Sequence, residues 1–215
     1  MSDIFDCADE TGRVAGLAAA ATAVLRGELV VLPTDTVYGI GADAFRPAAV
    51  ASLLAAKGRG RQMPPPVLVG SVRAATALVE ELGPYGQELI DEFWPGGLTI
   101  VCRANRSLRW DLGDTKGTVA VRMPDHPLTL ELLAQTGPMA VSSANLTGSP
   151  PATTAAAARE QLGDSVAVYL DGGPCEADVP STIVDLTGDM PRLLRVGVVP
   201  IGKLREVAAV AMGPD

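Results

Sequence analysis

The chain has 215 residues, of which 47% are hydrophobic, 20% charged and only 4% aromatic. That composition excludes disorder, collagen-like repeats and small disulfide scaffolds, and it allows a core of small aliphatic side chains without metal or disulfide staples. Lys+Arg 17 against Asp+Glu 25 gives a formal charge of -8, which argues against general-purpose nucleic-acid binding. Cys7, Cys102 and Cys175 are odd in number, far apart and never in a Cys-x-x-Cys pair, so they read as reduced thiols rather than a disulfide framework or zinc site. The single histidine, His126, excludes a centre built on several histidines.

In chain order, Val14, Leu17, Ala18, Ala21, Val24 and Leu25 repeat at helical spacing, with Gly27 as the stop. This alanine-rich run is too short and too interrupted for a membrane span, and the acids ahead of it do not suit a signal peptide, so a cytoplasmic protein with no membrane contact is expected. Glu28–Leu32 follows as a buried strand. A helix is predicted from Pro47 to Lys57, with Gly58 free to adopt positive φ beyond it. Pro64-Pro-Pro66 forces extended chain into Val67–Val69. Helices are then predicted over Ala74–Leu82, Gln87–Phe93, Pro127–Gln135 and Thr153–Leu162, and strands over Leu98–Cys102, Thr118–Arg122, Met139–Ser142, Val166–Leu170, Thr182–Leu186 and Leu193–Val196. A last helix is predicted over 200–211. Interleaved short strands and helices indicate an α/β fold with a twisted mixed sheet, in one domain over residues 1–215 with its core at about 15–197.

Five segments carry more polar chemistry than a core needs. Pro33-Thr-Asp-Thr-Val-Tyr-Gly-Ile-Gly41 sets hydroxyls and a carboxylate at a strand's C-terminal end, either as ligand contacts or as a self-satisfying turn. Its G-x-G-x-x-A spacing does not run into a helix, so a dinucleotide site is rejected, and no P-loop is present. Lys57-Gly-Arg-Gly-Arg61 places three cations in five residues, suited to phosphate or else to solvent. Val141-Ser-Ser-Ala-Asn-Leu-Thr-Gly148 offers hydroxyls and an amide, or a turn. Ser181-Thr182 and Arg195 lie at later strand ends, and a buried Arg122 would require an anionic partner. His126 reads as a structural loop residue. Phe93-Trp-Pro-Gly-Gly97 reads as core packing and a turn.

Taken in order, Thr34–Gly41, Lys57-Gly-Arg59, Phe93–Gly96, Ser143-Ala-Asn145, Ser181-Thr182 and Leu194-Arg195 resemble the YrdC-like threonylcarbamoyl-AMP synthases over roughly Ala15 to Gly197. The resemblance implies a twisted sheet with flanking helices around a positively charged central cavity. It implies a nucleotidyltransferase reaction in which L-threonine, bicarbonate or CO2, and ATP with Mg2+ give threonylcarbamoyl-adenylate and pyrophosphate. It also implies partner machinery that transfers the group to adenosine 37 of tRNA. By motif position, Thr36, Tyr38, Arg122 and Ser181 would meet threonine, and Lys57, Arg59, Thr118, Ser143, Asn145 and Arg195 would meet ATP. Lys57 and Arg59 would be catalytic, and no protein metal ligand is implied.

Three positions depart from the family pattern: Leu68 replaces a common histidine, Gly60 a common proline after the Lys-x-Arg triplet, and Pro151 a common serine. The adenylation itself needs positioning and stabilisation of phosphate charge more than a general base. The alternatives are a related carbamoyl-adenylate-forming module, whose zinc-finger cysteine pairs are missing here, and a non-adenylating RNA- or nucleotide-binding module, with weak RNA binding in the cavity.

Overall fold

A computed structural model describes residues 2–175 and 177–213. Asp9 accepts a hydrogen bond from the Gly12 N–H and opens helix α1 (Glu10–Arg26), and Gly27 closes it in the left-handed conformation at φ 83°. Strand β1 (Asp3–Asp6) precedes it. That strand is mostly exposed and so leaves no alternation in the sequence.

After β2 (Val30–Leu32) the polar segment does not stay irregular: Gly39–Asp43 forms strand β3. Glycine is a poor strand former, but this strand is held on both sides and needs the missing side chains. A Cβ on Gly39 would lie 2.6 Å from Val141 Cγ1, and one on Gly41 2.8 Å from Met139 Cε. The two glycines therefore serve strand packing.

Next come α2 (Pro47–Ala56), with proline in its first turn, β4 (Val67–Leu68) and α3 (Val72–Leu78). Helix α3 ends four residues short of the predicted Leu82. Val79 turns extended and bridges Ala104, and the Glu80 N–H donates to Arg103 O at 2.9 Å. The order continues with α4 (Gly83–Phe93), β5 (Leu98–Arg103), β6 (Thr118–Arg122), α5 (Pro127–Thr136), β7 (Met139–Ser143), α6 (Ala155–Leu162, capped by Thr154), a 3-10 turn at Gly163–Ser165, β8 (Val168–Asp171), β9 (Thr182–Asp185) and β10 (Arg192–Arg195). Helix α7 spans only Ile201–Val207. Ala208 is extended, and Ala211, expected as the last helical residue, joins Met212 in β11 against β10.

All eleven strands join one mixed sheet in the order β1-β8-β2-β3-β7-β4-β6-β5-β9-β10-β11. Apolar packing divides into three clusters: α3, α4 and α7 cover the β5–β6 region, α1 and α5 cover β2 and β7, and α2 and α6 cover β2, β3 and β8. Most of the buried polar side chains do not spread through these clusters. Thr34, Thr36, Lys57, Thr99, Arg122, Ser142, Asn145, Ser181 and Thr182 lie at or around the ends of β2, α2, β7, β6, β5 and β9. Buried polar groups need partners, and the partners these groups choose define a site.

Candidate functional site

Register brings the site together across the sheet. Gly39 of β3 faces Ser143 of β7, Leu68 of β4 faces Arg122 of β6, and Thr99 of β5 faces Ile183 of β9. These strands surround a cavity of about 410 Å³ whose wall includes Thr34, Thr36, Arg59, Arg122, Ser143 and Arg195.

The turn after β2 is a closed hydroxyl relay. Thr34 Oγ1 donates to Val37 O at 2.6 Å and accepts from the Thr36 N–H at 3.1 Å, so the 3.0 Å contact between the two hydroxyls runs from Thr36 to Thr34. Thr36 Oγ1 in turn accepts from Arg122 Nη1 at 3.0 Å. The segment is thus a self-satisfying turn that also lines the cavity.

Arg122 is nearly buried. Its Nε donates to Gly96 O at 2.9 Å, and its Nη2 pairs with Asp35 Oδ1 at 2.6 Å. Burial pushes its pKa down and Asp35 opposes the shift. The anionic partner that the sequence demanded is Asp35, and the Phe93–Gly97 turn, assigned no chemistry from sequence, supplies a carbonyl that aims the guanidinium.

Arg195 and Arg59 are held differently. Arg195 Nε and Nη2 donate to Ser181 O at 3.0 and 2.7 Å, and Nη2 also to Ser181 Oγ at 2.9 Å. Arg59 Nε donates to Thr147 Oγ1 at 3.2 Å and Nη1 to Ser142 Oγ at 3.0 Å. Among the described residues neither makes an ion pair. Burial lowers both pKa values, and for Arg195 the charges of Arg122 and Arg59 lower it further. Three guanidiniums thus share one hollow with one carboxylate beside it.

Of the other predicted residues, Tyr38 and Ser181 line the cavity, and Lys57, Asn145 and Thr118 stand behind its wall or away from it. Lys57, predicted to be catalytic, is fully buried and does not line the cavity. Its Nζ donates to Ser143 O and to Asn145 O (2.7 Å), which ties down the end of β7. Burial, then the Arg59 charge, push its pKa to about 7. Asn145 spends its amide on Leu146 O and Ser149 O, both at 2.8 Å. Tyr38 borders the cavity, but its hydroxyl donates to Gly173 O and accepts from the Gly172 N–H. Ser181 shares a 2.8 Å hydrogen bond with Thr99, which sequence reasoning had not singled out.

Thr118 is at the far end of β6, its hydroxyl turned to Thr115 O. It lies four residue steps along the strand from Arg122, roughly 13 Å, and outside the cavity lining. Gln62, Met63, Pro64 and Pro66 form a wall that the proline run signals only as extended chain. Leu68 lies in the lining, next to Arg122.

The fold and cavity define an α/β protein with a pre-formed cavity lined by three arginines. The profile of the Sua5/YciO/YrdC family, described as "Telomere recombination", matches residues 22–197. A Mycobacterium tuberculosis relative, provisionally named a threonylcarbamoyl-AMP synthase, is 57% identical over 98% of this chain and 97% of its own length. The Bacillus subtilis threonylcarbamoyl-AMP synthase is 38% identical over 97% of this chain but only 60% of its own. The structure of Pyrococcus abyssi Sua5 complexed with L-threonine superposes with a TM-score of 0.87 at 33% identity, over 98% of this chain and 63% of that one. The chain belongs to the Sua5/YciO/YrdC family.

Proposed function

We propose that the protein is an L-threonylcarbamoyladenylate synthase, a nucleotidyltransferase that joins L-threonine, bicarbonate or CO2, and ATP into threonylcarbamoyl-AMP with release of pyrophosphate. The observation that carries this reading is the pair of guanidiniums, Arg59 and Arg195, sharing one cavity with the Thr36–Arg122 cluster and lacking carboxylate partners among the described residues.

A guanidinium has five N–H donors. Arg122 spends one from each nitrogen on Gly96, Thr36 and Asp35, which leaves one on each Nη for the threonine carboxylate. Ser181, beside Thr99, completes that subsite. Arg195 keeps both N–H groups of Nη1, and Arg59 keeps those of Nη2, for phosphate oxygens. Ser143 faces the same space, and Lys57 and Asn145 fix it from behind.

The threonine amine captures CO2 as a carbamate. A carbamate oxygen then attacks the α-phosphorus in line, the bond to the bridging oxygen breaks, and pyrophosphate leaves. Acceleration comes from alignment and from cations already oriented toward the phosphates. The cavity wall contains no carboxylate, and no group of three or more His, Cys, Asp or Glu gathers among the described residues, so the donor set does not fit a protein-held Mg2+. Mg2+ enters only as the counterion of the nucleotide. The adenylate is passed to threonylcarbamoyl-transferring partners that act on tRNA, in the cytoplasm. No helix among the described residues is long and apolar enough to cross a membrane.

The test is mass detection of an AMP adduct from purified protein, dependent on both threonine and bicarbonate, with stoichiometric pyrophosphate. ATP binding without the adduct would leave a nucleotide-binding module, and salt-sensitive RNA binding without threonine-dependent turnover would leave an RNA-binding one.

A further inference from the structure

The three cations of Lys57-Gly-Arg-Gly-Arg61 go to three destinations. Lys57 runs inward to β7 and Arg59 into the cavity. Gly58, at φ 65°, turns the chain between them. Arg61 points away from the phosphate side altogether. It grips Asp111 with two parallel hydrogen bonds, Nη1–Oδ2 at 3.0 Å and Nη2–Oδ1 at 2.8 Å, and its Nε reaches Asp114 Oδ1 at 3.4 Å. Its backbone joins the same contact: Arg61 O accepts from the Asp114 N–H at 2.8 Å. Gly113, at φ 105°, lies so close that a Cβ there would be 2.6 Å from Arg61 O.

Two loops are therefore fastened together, the one after α2 and the one joining β5 to β6. The residues immediately after the fastening, Gln62, Met63, Pro64 and Pro66, form the cavity wall next to Arg59. On one side of Arg61 the chain turns at Gly58 and passes through Gly60; on the other the prolines stiffen it. The far end of the wall is tied to β7, where Pro66 O accepts from the Val141 N–H at 2.9 Å, and the near end, at Gln62 and Met63, adjoins the Arg61 contacts.

We infer that Arg61 is a positioning residue, clasping the Gln62–Pro66 wall to Asp111 and Asp114 so that the wall stands against the nucleotide end of the cavity. This rests on the proposed adenylation for its kinetic consequence but not for its structural one. Arg61, Asp111 and Asp114 have side chains 59%, 42% and 59% exposed, so the clasp is an ion-pair network in water, weak enough to open and sensitive to salt. Asp111 is held below the usual aspartate range by Arg61 and the Gly113 N–H, so the clasp stays charged at neutral pH.

The experiment compares wild type with Arg61→Ala, Gly113→Ala and the exchange Arg61→Asp/Asp111→Arg, by amide hydrogen exchange and by ATP kinetics. In Arg61→Ala and Gly113→Ala the amides of Met63 and Asp114, which donate to Gly60 O and Arg61 O, should exchange about five-fold faster than in wild type. In Arg61→Ala, KM for ATP should rise about five-fold, with kcat within two-fold and the melting temperature within about 2 °C, while Gly113→Ala, strained at φ 105°, is read by amide exchange alone. Wild type in high salt should move toward Arg61→Ala, and the exchanged pair should recover part of the loss. Unchanged exchange at those amides, an unchanged KM, or a KM that merely follows a falling melting temperature would each overturn the inference. Should wild type form no adenylate, the functional reading fails while the exchange data still decide the clasp.

Discussion

Replacing Asp35 by asparagine isolates what the one carboxylate beside the cavity does. Asp35 Oδ1 accepts from Arg122 Nη2 at 2.6 Å and from the Asp125 N–H at 3.0 Å. Asparagine can keep both acceptor contacts, but it leaves a guanidinium only 7% exposed without a counter-charge. Breaking a buried pair on one side costs about 3–5 kcal/mol. Asp35 is itself 18% exposed, and Arg122 retains Thr36 and Gly96, so about 2–3 kcal/mol is the expected loss. In a chain of this size that lowers the melting temperature by about 5–10 °C. Urea denaturation gives the free energy directly, with m unchanged. The cycle with Arg122→Met separates charge from contact: the double variant should be less destabilised than the sum of the singles by at least about 1 kcal/mol. An Asp35→Asn protein within about 0.5 kcal/mol of wild type, or singles that simply add, would mean that Arg122 does not depend on Asp35 for its charge balance.

Arg59→Ala removes one unneutralised cation and should lower kcat/KM for adenylate formation by about 10–100-fold, the loss of one charged hydrogen-bonding group, while urea denaturation shows little change; wild-type pyrophosphate release would refute the assignment. Ser181→Asp puts a carboxylate where Arg195 Nη2 now meets a hydroxyl at 2.9 Å. It should raise KM for ATP more than ten-fold, against a few-fold for Ser181→Ala, and equal effects would show that the charge of Arg195 is not what ATP meets. Lys57 titrates near 7 when folded and at 10.5 when free, so between those values the unfolded chain binds more protons and stability rises with pH. Over pH 7 to 9 wild type should gain up to about 1.4 kcal/mol per unit relative to Lys57→Met, measured as the difference between their denaturation free energies; parallel curves would refute the depressed value.

The sequence made the layered α/β character plain because helices such as α1 and α5 repeat at 3.6 residues and carry glycine or proline at their ends. It hid the elements whose reason lies elsewhere in the fold. Strand β3 carries Gly39 and Gly41 on either side of Ile40 because β7 lies across it, and α3 stops at Leu78 because the β5 end recruits the next two residues. The site followed the same rule. Arg59, Arg122, Arg195, Thr36 and Ser143 were legible as polar residues at strand ends and loops, and they share one cavity. Spacing alone could not say that Lys57, two residues before Arg59, faces the protein interior, nor that Arg61, two residues after it, faces another loop. Direction is set by Gly58 and by which acceptors the folded neighbours leave open.

The partners of the cavity arginines explain how a chain of net charge -8 can hold a polyanion. Orientation and neutralisation are separate operations. A guanidinium fixed by a carboxylate is both aimed and cancelled, which is the state of Arg122. One fixed by hydroxyl and carbonyl oxygens is aimed yet keeps its full charge for a ligand, which is the state of Arg59 on Ser142 and Thr147 and of Arg195 on Ser181. The fold carries the cost in the folded protein, where burial lowers the pKa values of both arginines and repulsion from Arg122 and Arg59 lowers that of Arg195 further. A triphosphate relieves that repulsion on binding. In the proposed reaction the same relief would be available wherever negative charge builds on the α-phosphate and the departing pyrophosphate, so cations placed to bind ATP would also favour its cleavage.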